Sequence, residues 1–305
     1  MEKQIADFLA DKSIENAVKI FGNKKEQRLV HTVEQLNDSA KKIYVPNAPN
    51  HFILKQADNN TGLAGIASSS MYNSVGILTP KIHLINDKNR FDATTLQQDV
   101  SEIDFLETIL AGSDFEYTKI INNFYEKIKW SLFYDTNLIF NLLKFMTPEC
   151  LDQLKNIFLI DELRTDIDRH TKNYFFYKQK GSDKYEGIIV IDLEQMAIYF
   201  YCEDGKDGFL NFLTTPYESS TPQQKFDYTC YMQRVRDMRE LIQDDVLSEN
   251  NLEILSNALN YDFPGDVKNA VQNKKLHGKA KKKIVDPIKR LWEYNQNTIG
   301  KDLGL

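Results

Sequence analysis

The hydrophobic and polar positions divide the first part of the chain into one helix-like segment and several strand-like ones. Over residues 1–20, apolar residues recur at the spacing of an amphipathic helix. From about residue 28 to 58 the pattern changes to the short apolar runs RLVHTV, KIYV and HFILK, separated by the turn-forming stretches NDS and PNAPN. We therefore predict an N-terminal helix followed by antiparallel strands.

The rest of the chain is predominantly helical in pattern. GLAGIASSSMYNSVGI predicts a helix over residues 62–77 that ends near Gly76, and KIHLIN predicts a strand after Thr79-Pro80. Further helices are predicted at 101–112, 116–131, 135–146, 148–165 and within 222–305. Strands are predicted at NYFFYKQ (173–179) and GIIVID (187–192), with AIYFYCE (197–203) as a third candidate.

This order of elements predicts an α+β fold with two lobes. The N-lobe, residues 1–100, is small and strand-rich and carries the N-terminal helix. The C-lobe, residues 101–305, is larger and helical. Because ligands bind preferentially in clefts between domains, we expect the functional site between these lobes.

Composition and cysteine spacing limit the class of protein. The 305 residues are 42% hydrophobic and 27% charged, which is typical of a globular protein. Cys150, Cys202 and Cys230 are far apart and form no C-x-x-C pair, so we expect neither a disulfide framework nor a zinc site. No signal-peptide core and no membrane-spanning run is present, which predicts a cytoplasmic protein and is also compatible with delivery of a bacterial protein into a host cell.

One basic segment stands out on an otherwise acidic chain of net charge −6. We call it the basic block; it holds eight cations against one acid, namely Lys274, Lys275, Lys279, Lys281, Lys282, Lys283, Lys289 and Arg290 against Asp286. A solvated helix face is one interpretation, and a polyanion site is the other. Inositol polyphosphates such as inositol hexakisphosphate and phosphoinositide headgroups are the favoured anions. Few aromatic residues are interleaved, which disfavours nucleic acid.

The candidate chemistry comes from oxygen-bearing side chains in DIDRHTKNYFFY and IIVID. Asp168 and Asn173 lie in a loop between a predicted helix and a predicted strand, and Asp192 ends the next predicted strand. Phosphoryl transfer requires oxygen ligands for divalent metals and an acceptor that orients the attacking hydroxyl. An Asp, an Asn amide oxygen and a second Asp supply that set.

The sequence of this loop resembles the corresponding loop in a known group of enzymes. Asp-x-x-x-x-Asn is the spacing of the protein-kinase catalytic loop, and DRHTKN resembles the D-R-H-x-x-N loop of phosphatidylinositol 3- and 4-kinases and of HipA-like bacterial kinases. The resemblance implies that Asp168 orients or deprotonates the substrate hydroxyl and that His170 supports the loop. It implies that Asn173 and Asp192 hold the metal ions. Asp166 is either a supporting acid or a capping residue.

The upstream sequence matches the same group in part. HFILK places Lys55 at the end of a strand that precedes a helix, where a kinase-like fold carries the lysine that contacts the ATP phosphates. The segment GILTP after that helix, Gly76 to Pro80, resembles the same families. Two features depart from the pattern. No G-x-G-x-x-G precedes Lys55, and the predicted helix contains no Glu or Asp to pair with it.

The resemblance implies an atypical protein kinase that uses ATP with Mg²⁺ or Mn²⁺. A Ser/Thr protein substrate, or the chain itself, is the expected acceptor, and an inositol polyphosphate at the basic block is a candidate activator. A pseudokinase that recruits a partner or an acidic membrane through that block is an alternative, and a lipid kinase is another. Similarity to atypical effector kinases adds the hypothesis of a bacterial secreted effector that associates with membranes.

Overall fold

The chain divides into two compact units in a computed structural model. The described residues are 1–85, 92–103, 106–108, 143–164, 173–194, 249–273, 282, 285–286, 289–290, 292–293 and 296–297. The first unit comprises Met1–Leu106, Val190–Met196 and Asp262–Trp292, and the second comprises Glu107–Ile189, Ala197–Tyr261 and Glu293–Leu305. Each unit is described by itself below.

An antiparallel sheet forms the centre of the first unit. Its strands are β1 (His31–Gln35), β2 (Ala40–Tyr44), β3 (Phe52–Asp58), β4 (His83–Ile85) and β5 (Asp92–Gln98). The strand order is β1-β2-β3-β5-β4, and every neighbouring pair is antiparallel. The antiparallel strands predicted between residues 28 and 58 are therefore confirmed, whereas β5 was not predicted.

Helices cover the sheet and continue the first unit. They are α1 (Glu2–Leu9), α2 (Ser13–Gly22) and α3 (Asn59–Ser74). The prediction of a single helix over residues 1–20 is wrong, because the first helix ends at Leu9 and a second begins at Ser13. The Asp11 carboxylate accepts the backbone N–H of Ser13 at 2.8 Å, which satisfies an otherwise unpaired donor at the start of α2.

The two faces of the sheet have different environments. Phe52, Ile43 and Leu96 are buried in one apolar cluster with Ile14 and Ala17 of α2. Because successive side chains of a strand point to opposite faces, Ile53 and Lys55 of β3 lie on the other face. Helix α3 packs on that second face.

A glycine sets how closely α3 approaches the sheet. A Cβ atom added at Gly62 would lie 2.5 Å from the Cβ of Ala93 on β5, so only glycine permits this contact. Helix α3 is thereby held against the face of the sheet that carries Lys55.

The described residues of the second unit include a three-stranded sheet and two helices. The sheet has the order β6-β7-β8, with β6 (Leu106–Thr108), β7 (Tyr174–Tyr177) and β8 (Gly187–Val190). The first residue of β6 and the last residue of β8 belong to the first unit. Helix α4 (Pro148–Arg164) confirms the helix predicted at 148–165, and α5 is Glu249–Leu259. The Gln153 side chain of α4 accepts the backbone N–H of Ile188 at 3.0 Å.

Of the remaining helix and strand predictions between residues 101 and 203, the described residues test the helix at 101–112. The helix predicted at 101–112 is wrong at least over Leu106–Thr108, which form β6. The helix predicted at 116–131, most of that at 135–146 and the candidate strand at 197–203 lie outside the described residues. Helix α6 (Phe263–Asn273) belongs to the first unit, where it packs against α3.

The remaining general predictions concern cysteines and membrane spans. Cys150 is a free, buried thiol, and burial raises its pKa to about 12, so it has no nucleophilic character near neutral pH. Cys202 and Cys230 lie outside the described residues. In the described part of the chain, no helix combines the length and the apolar character that crossing a bilayer requires.

Candidate functional site

An ion-paired lysine forms the centre of the candidate site. Lys55 lies on the central strand β3, where its backbone is in register with Ala40 of β2 and Thr95 of β5. The Lys55 Nζ atom lies 2.6 Å from Asp192 Oδ1 and 3.1 and 3.2 Å from the two carboxylate oxygens of Glu194. All three residues belong to the first unit.

The segment that carries the two acids is anchored beside α3. Strand β8 ends at Val190, so the prediction that Asp192 ends this strand is wrong by two residues. The Val190 N–H donates to the Leu78 carbonyl oxygen at 2.9 Å. Leu78 follows Gly76, which ends the α3 region with a left-handed φ of +81°. The chain between Val190 and Glu194 is therefore tied to the residues that follow α3.

The backbone at Asp192 adopts an uncommon conformation. Its φ of +60° lies in the left-handed region, which is sparsely populated by residues other than glycine. Such conformations persist where the surrounding structure fixes them, and they cluster at functional sites. The Asp192 side chain is 40% exposed, so its carboxylate is accessible from solvent while one oxygen holds Lys55.

Glu194 is the site residue that sequence reasoning missed. Its side chain is only 7% exposed, whereas that of Asp192 is 40% exposed. A Cβ atom added at Gly65 of α3 would lie 3.0 Å from the Glu194 Cγ and 3.4 Å from its Cα. As predicted, α3 itself contains no Asp or Glu, and at Gly65 it presents only backbone to Glu194.

The electrostatics of the three groups are coupled. Burial alone lowers the pKa of Lys55, but the charges of Glu194 and Asp192 outweigh it and raise the pKa above its ordinary value. Burial raises the pKa of Glu194, and the nearby Asp192 adds to this effect while Lys55 opposes it. Lys55 is therefore a cation at every physiological pH, and two carboxyl groups share that one cation.

The predicted site residues fall into two groups. The structure brings Lys55 and Asp192 into direct contact. Asn173 is buried immediately before β7 in the second unit, and Asp166, Asp168 and His170 lie outside the described residues. The roles of Asn173, Asp168 and His170 stay predictions.

The described part of the basic block is exposed and adjoins a buried aromatic anchor. Lys282, Lys289 and Arg290 are exposed, whereas the other members, Lys274, Lys275, Lys279, Lys281 and Lys283, lie outside the described residues. Trp292 is 1% exposed and stacks on Phe263 of α6, with 5.0 Å between the ring centroids. This stacking attaches the end of the block to the helix that packs on α3.

The donor set suits a divalent cation that is completed by phosphate oxygens. Among the described residues, no group of three or more His, Cys, Asp and Glu side chains is arranged to hold a metal ion alone. Mg²⁺ in phosphoryl-transfer sites is held by one or two carboxylates together with substrate phosphates and water. The partly exposed carboxylate of Asp192 fits such a ligand.

Comparison with known proteins gives structural similarity at low sequence identity. No protein-family model matches the chain, and no curated protein matches it. The structure is similar to the proinflammatory kinase CtkA of Helicobacter pylori, with 13% identity, a TM-score of 0.47, and coverage of 88% of this chain and 93% of that one. It is also similar to the HipA, HipB and operator DNA complex of the Shewanella oneidensis MR-1 toxin–antitoxin system, with 10% identity and a TM-score of 0.43; the match covers 89% of this chain and 63% of that one.

Proposed function

We propose that the chain is an atypical, metal-dependent kinase that transfers the γ-phosphate of ATP to a Ser/Thr protein substrate or to itself. The observation that carries the proposal is the contact between Lys55 on the central strand and Asp192, the acid after β8. Phosphoryl transfer relies on positioning and charge stabilisation, for which a fixed cation and a metal-binding carboxylate are the principal parts.

Lys55 and Asp192 have different proposed roles in binding the nucleotide. Lys55 supplies a positive charge that neutralises phosphate oxygens, and its pairing with two acids keeps it protonated. The Asp192 carboxylate, held by its left-handed backbone and accessible from solvent, is the proposed ligand for the cation that accompanies ATP. When bound, that cation supplies charge neutralisation between the phosphates.

The catalytic loop supplies the remaining proposed roles. Asp168 would accept the proton of the attacking hydroxyl or orient it, and His170 would support the loop. Asn173 would add an amide oxygen to the cation bound by Asp192. These roles are inferred from the resemblance to the D-R-H-x-x-N motif and from the spacing between this motif and Asp192.

A pseudokinase binding module is the second candidate. The observation that favours it is the lack of a G-x-G-x-x-G stretch before Lys55, which leaves the phosphates without the usual covering loop. The other departure, the acid missing from α3, has less force because Glu194 pairs with Lys55. A lipid acceptor in place of a protein is a variant of the first candidate.

We also propose that the basic block binds an inositol polyphosphate, with inositol hexakisphosphate as the type ligand, or the headgroup of a phosphoinositide. Support comes from the exposure of Lys282, Lys289 and Arg290 and from the density of lysines in the sequence around them. The Trp292–Phe263 stack attaches this segment to α6, and α6 packs on α3. A ligand bound to the block would therefore also favour the conformation of α3 that accompanies the Lys55 site.

A phosphate-transfer assay tests the proposed function. The purified full chain is incubated with γ-labelled ATP and a general protein substrate, in Mg²⁺ or Mn²⁺, with and without inositol hexakisphosphate. We expect label on the chain or on the substrate, and none with Asp168→Ala. Stable binding of ATP without any transfer under all these conditions would favour the pseudokinase.

Calorimetry tests the basic block. Inositol hexakisphosphate should bind the parent chain, and the heat should be lost in a variant with alanine at Lys279, Lys281, Lys282 and Lys283. A matched variant with alanine at four lysines elsewhere controls for net charge; it changes Lys3, Lys24, Lys25 and Lys180. Equal loss in both variants would show nonspecific attraction, and unchanged heat in the first would remove the block as the binding site.

A further inference from the structure

Helix α3 provides no acid for Lys55, and the chain after β8 provides two. In protein kinases the lysine of the central strand pairs with a glutamate on the following helix, and that pair must be formed for the site to be active. Helix α3 follows β3 directly, yet it contains no Asp or Glu. Lys55 is paired all the same, because Glu194 contacts its Nζ atom with both oxygens, at 3.1 and 3.2 Å.

The packing of α3 is fitted to Glu194. At Gly65 the helix backbone comes so close to Glu194 that an added Cβ would lie 3.0 Å from the Glu194 Cγ. The Val190 N–H bond to the Leu78 carbonyl holds the start of the same segment against the residues after α3. The helix therefore fixes the position of the acid by contact instead of carrying the acid itself.

Asp192 and Glu194 differ in their exposure to solvent, which suits them to different roles. The Asp192 side chain is 40% exposed, so a cation in solvent can reach its carboxylate, whereas the Glu194 side chain is 7% exposed. A cation that binds Asp192 would compete with Lys55 for that carboxylate. Glu194, which is shielded from solvent, would then keep the lysine in place.

We propose that Glu194 is the positioning residue for Lys55 and replaces the helix-borne acid of the usual arrangement. This inference rests on the proposed function. In this arrangement Asp192 binds the cation and Glu194 holds Lys55. Lys55 therefore stays directed at the nucleotide phosphates after Asp192 has exchanged Lys55 for the cation.

A double-mutant cycle in phosphate transfer tests this role. Glu194→Gln preserves the shape and removes the charge, and it should lower kcat by about tenfold or more while the KM for ATP changes by less than about threefold. Glu194→Asp should recover part of kcat, since it restores the charge. In a Lys55→Met background, Glu194→Gln should change the residual kcat by less than about twofold, because the residue acts through Lys55. Glu102→Gln is the matched control, since Glu102 is ion-paired with Lys42 elsewhere in the first unit.

A second cycle, in urea unfolding, separates failure of this inference from failure of the proposed function. If Glu194 holds Lys55, the midpoint shifts of Lys55→Met and Glu194→Gln should sum to more than the shift of the double variant. Transfer by the parent chain with an unchanged kcat in Glu194→Gln would overturn the inference and leave the kinase assignment intact. If the midpoint shifts are non-additive but the parent chain transfers no phosphate, the proposed function is wrong and Glu194 has no catalytic role. The ion pair between Lys55 and Glu194 would still be confirmed.

Discussion

Lys55 Nζ lies 2.6 Å from Asp192 Oδ1 although 137 residues separate the two in the chain. The contact joins the central strand of the first sheet to the segment after β8. A buried amine tolerates such a position only when carboxylates compensate the loss of water, and Lys55 has two of them. The proposed function rests on this pair.

Removing the charge of Asp192 should abolish phosphate transfer without unfolding the protein. Asp192→Asn leaves Lys55 paired with Glu194, so we expect native circular dichroism. Transfer should fall by at least about 100-fold, a loss typical of removing a group that stabilises transition-state charge. Asp7→Asn, on the exposed face of α1, is the matched control and should transfer normally. Undiminished transfer by Asp192→Asn would refute the metal assignment.

The contact of α3 with Glu194 predicts a specific effect of a small substitution. In Gly65→Ala the new Cβ requires a few tenths of an ångström of movement by Glu194, which is buried and has little room. Overpacking of this kind costs about 1–3 kcal/mol of unfolding free energy. Transfer should fall in parallel, because displacing Glu194 also displaces Lys55.

A glycine in open surroundings provides the control for that substitution. Gly22 ends α2, and an added Cβ there would meet no atom within 4 Å. Gly22→Ala should be neutral or stabilise the protein by up to about 1 kcal/mol, as alanine restricts the unfolded chain. Denaturant unfolding of both variants decides the matter. Equal stability of Gly65→Ala and Gly22→Ala would contradict the close packing of α3 on Glu194.

The stability of the fold should depend on pH through His83 in β4. Burial, followed by repulsion from Lys81, lowers the pKa of His83 below its ordinary value of 6.5, and Glu15 opposes this only in part. As pH falls through 6.5, His83 becomes protonated in the unfolded chain but stays neutral in the folded chain, so the free energy of unfolding decreases. The contribution is therefore fully present above that pH and declines below it, until the folded His83 also becomes protonated.

Urea midpoints measured between about pH 7.5 and about pH 5.5 test the His83 effect. The midpoint of the parent chain should fall more steeply over this interval than that of His83→Asn. His31→Asn, which changes an exposed residue of β1, should keep the parent slope. Identical slopes for all three proteins would show that His83 does not contribute.

The sequence was most informative where local chemistry determines the structure. Turn-forming stretches between short apolar runs predicted β1 to β3, because turns and alternating strands are local features. Strand β5 was missed, because its buried positions include Thr95, Gln97 and Gln98 and therefore lack the usual apolar alternation. The mixed pattern of apolar and polar residues at 101–112 predicted a helix where Leu106–Thr108 form a strand, since pairing with β7 is a nonlocal interaction.

The candidate site was predictable to the extent that single residues carry recognisable chemistry. Lys55 and Asp192 were both found by that reasoning, but the prediction that Lys55 ends its strand is wrong, because β3 continues to Asp58. Glu194 was not, because an acid two residues beyond Asp192 matches no spacing rule and its partner is remote in sequence. The available signal was indirect: α3 has glycines at 62 and 65 and no acid, which indicates close backbone packing and an acid supplied from elsewhere.

Crystals of the full chain soaked with Mn²⁺ and a non-hydrolysable ATP analogue give the most direct measurement of the central claim. We expect an anomalous peak at about 2.0–2.2 Å from an Asp192 carboxylate oxygen, with Asn173 as a further ligand and Lys55 Nζ against a phosphate oxygen. Glu194 should remain in contact with Lys55. Bound nucleotide with no manganese at Asp192, or with Lys55 directed away from the phosphates, would contradict the account.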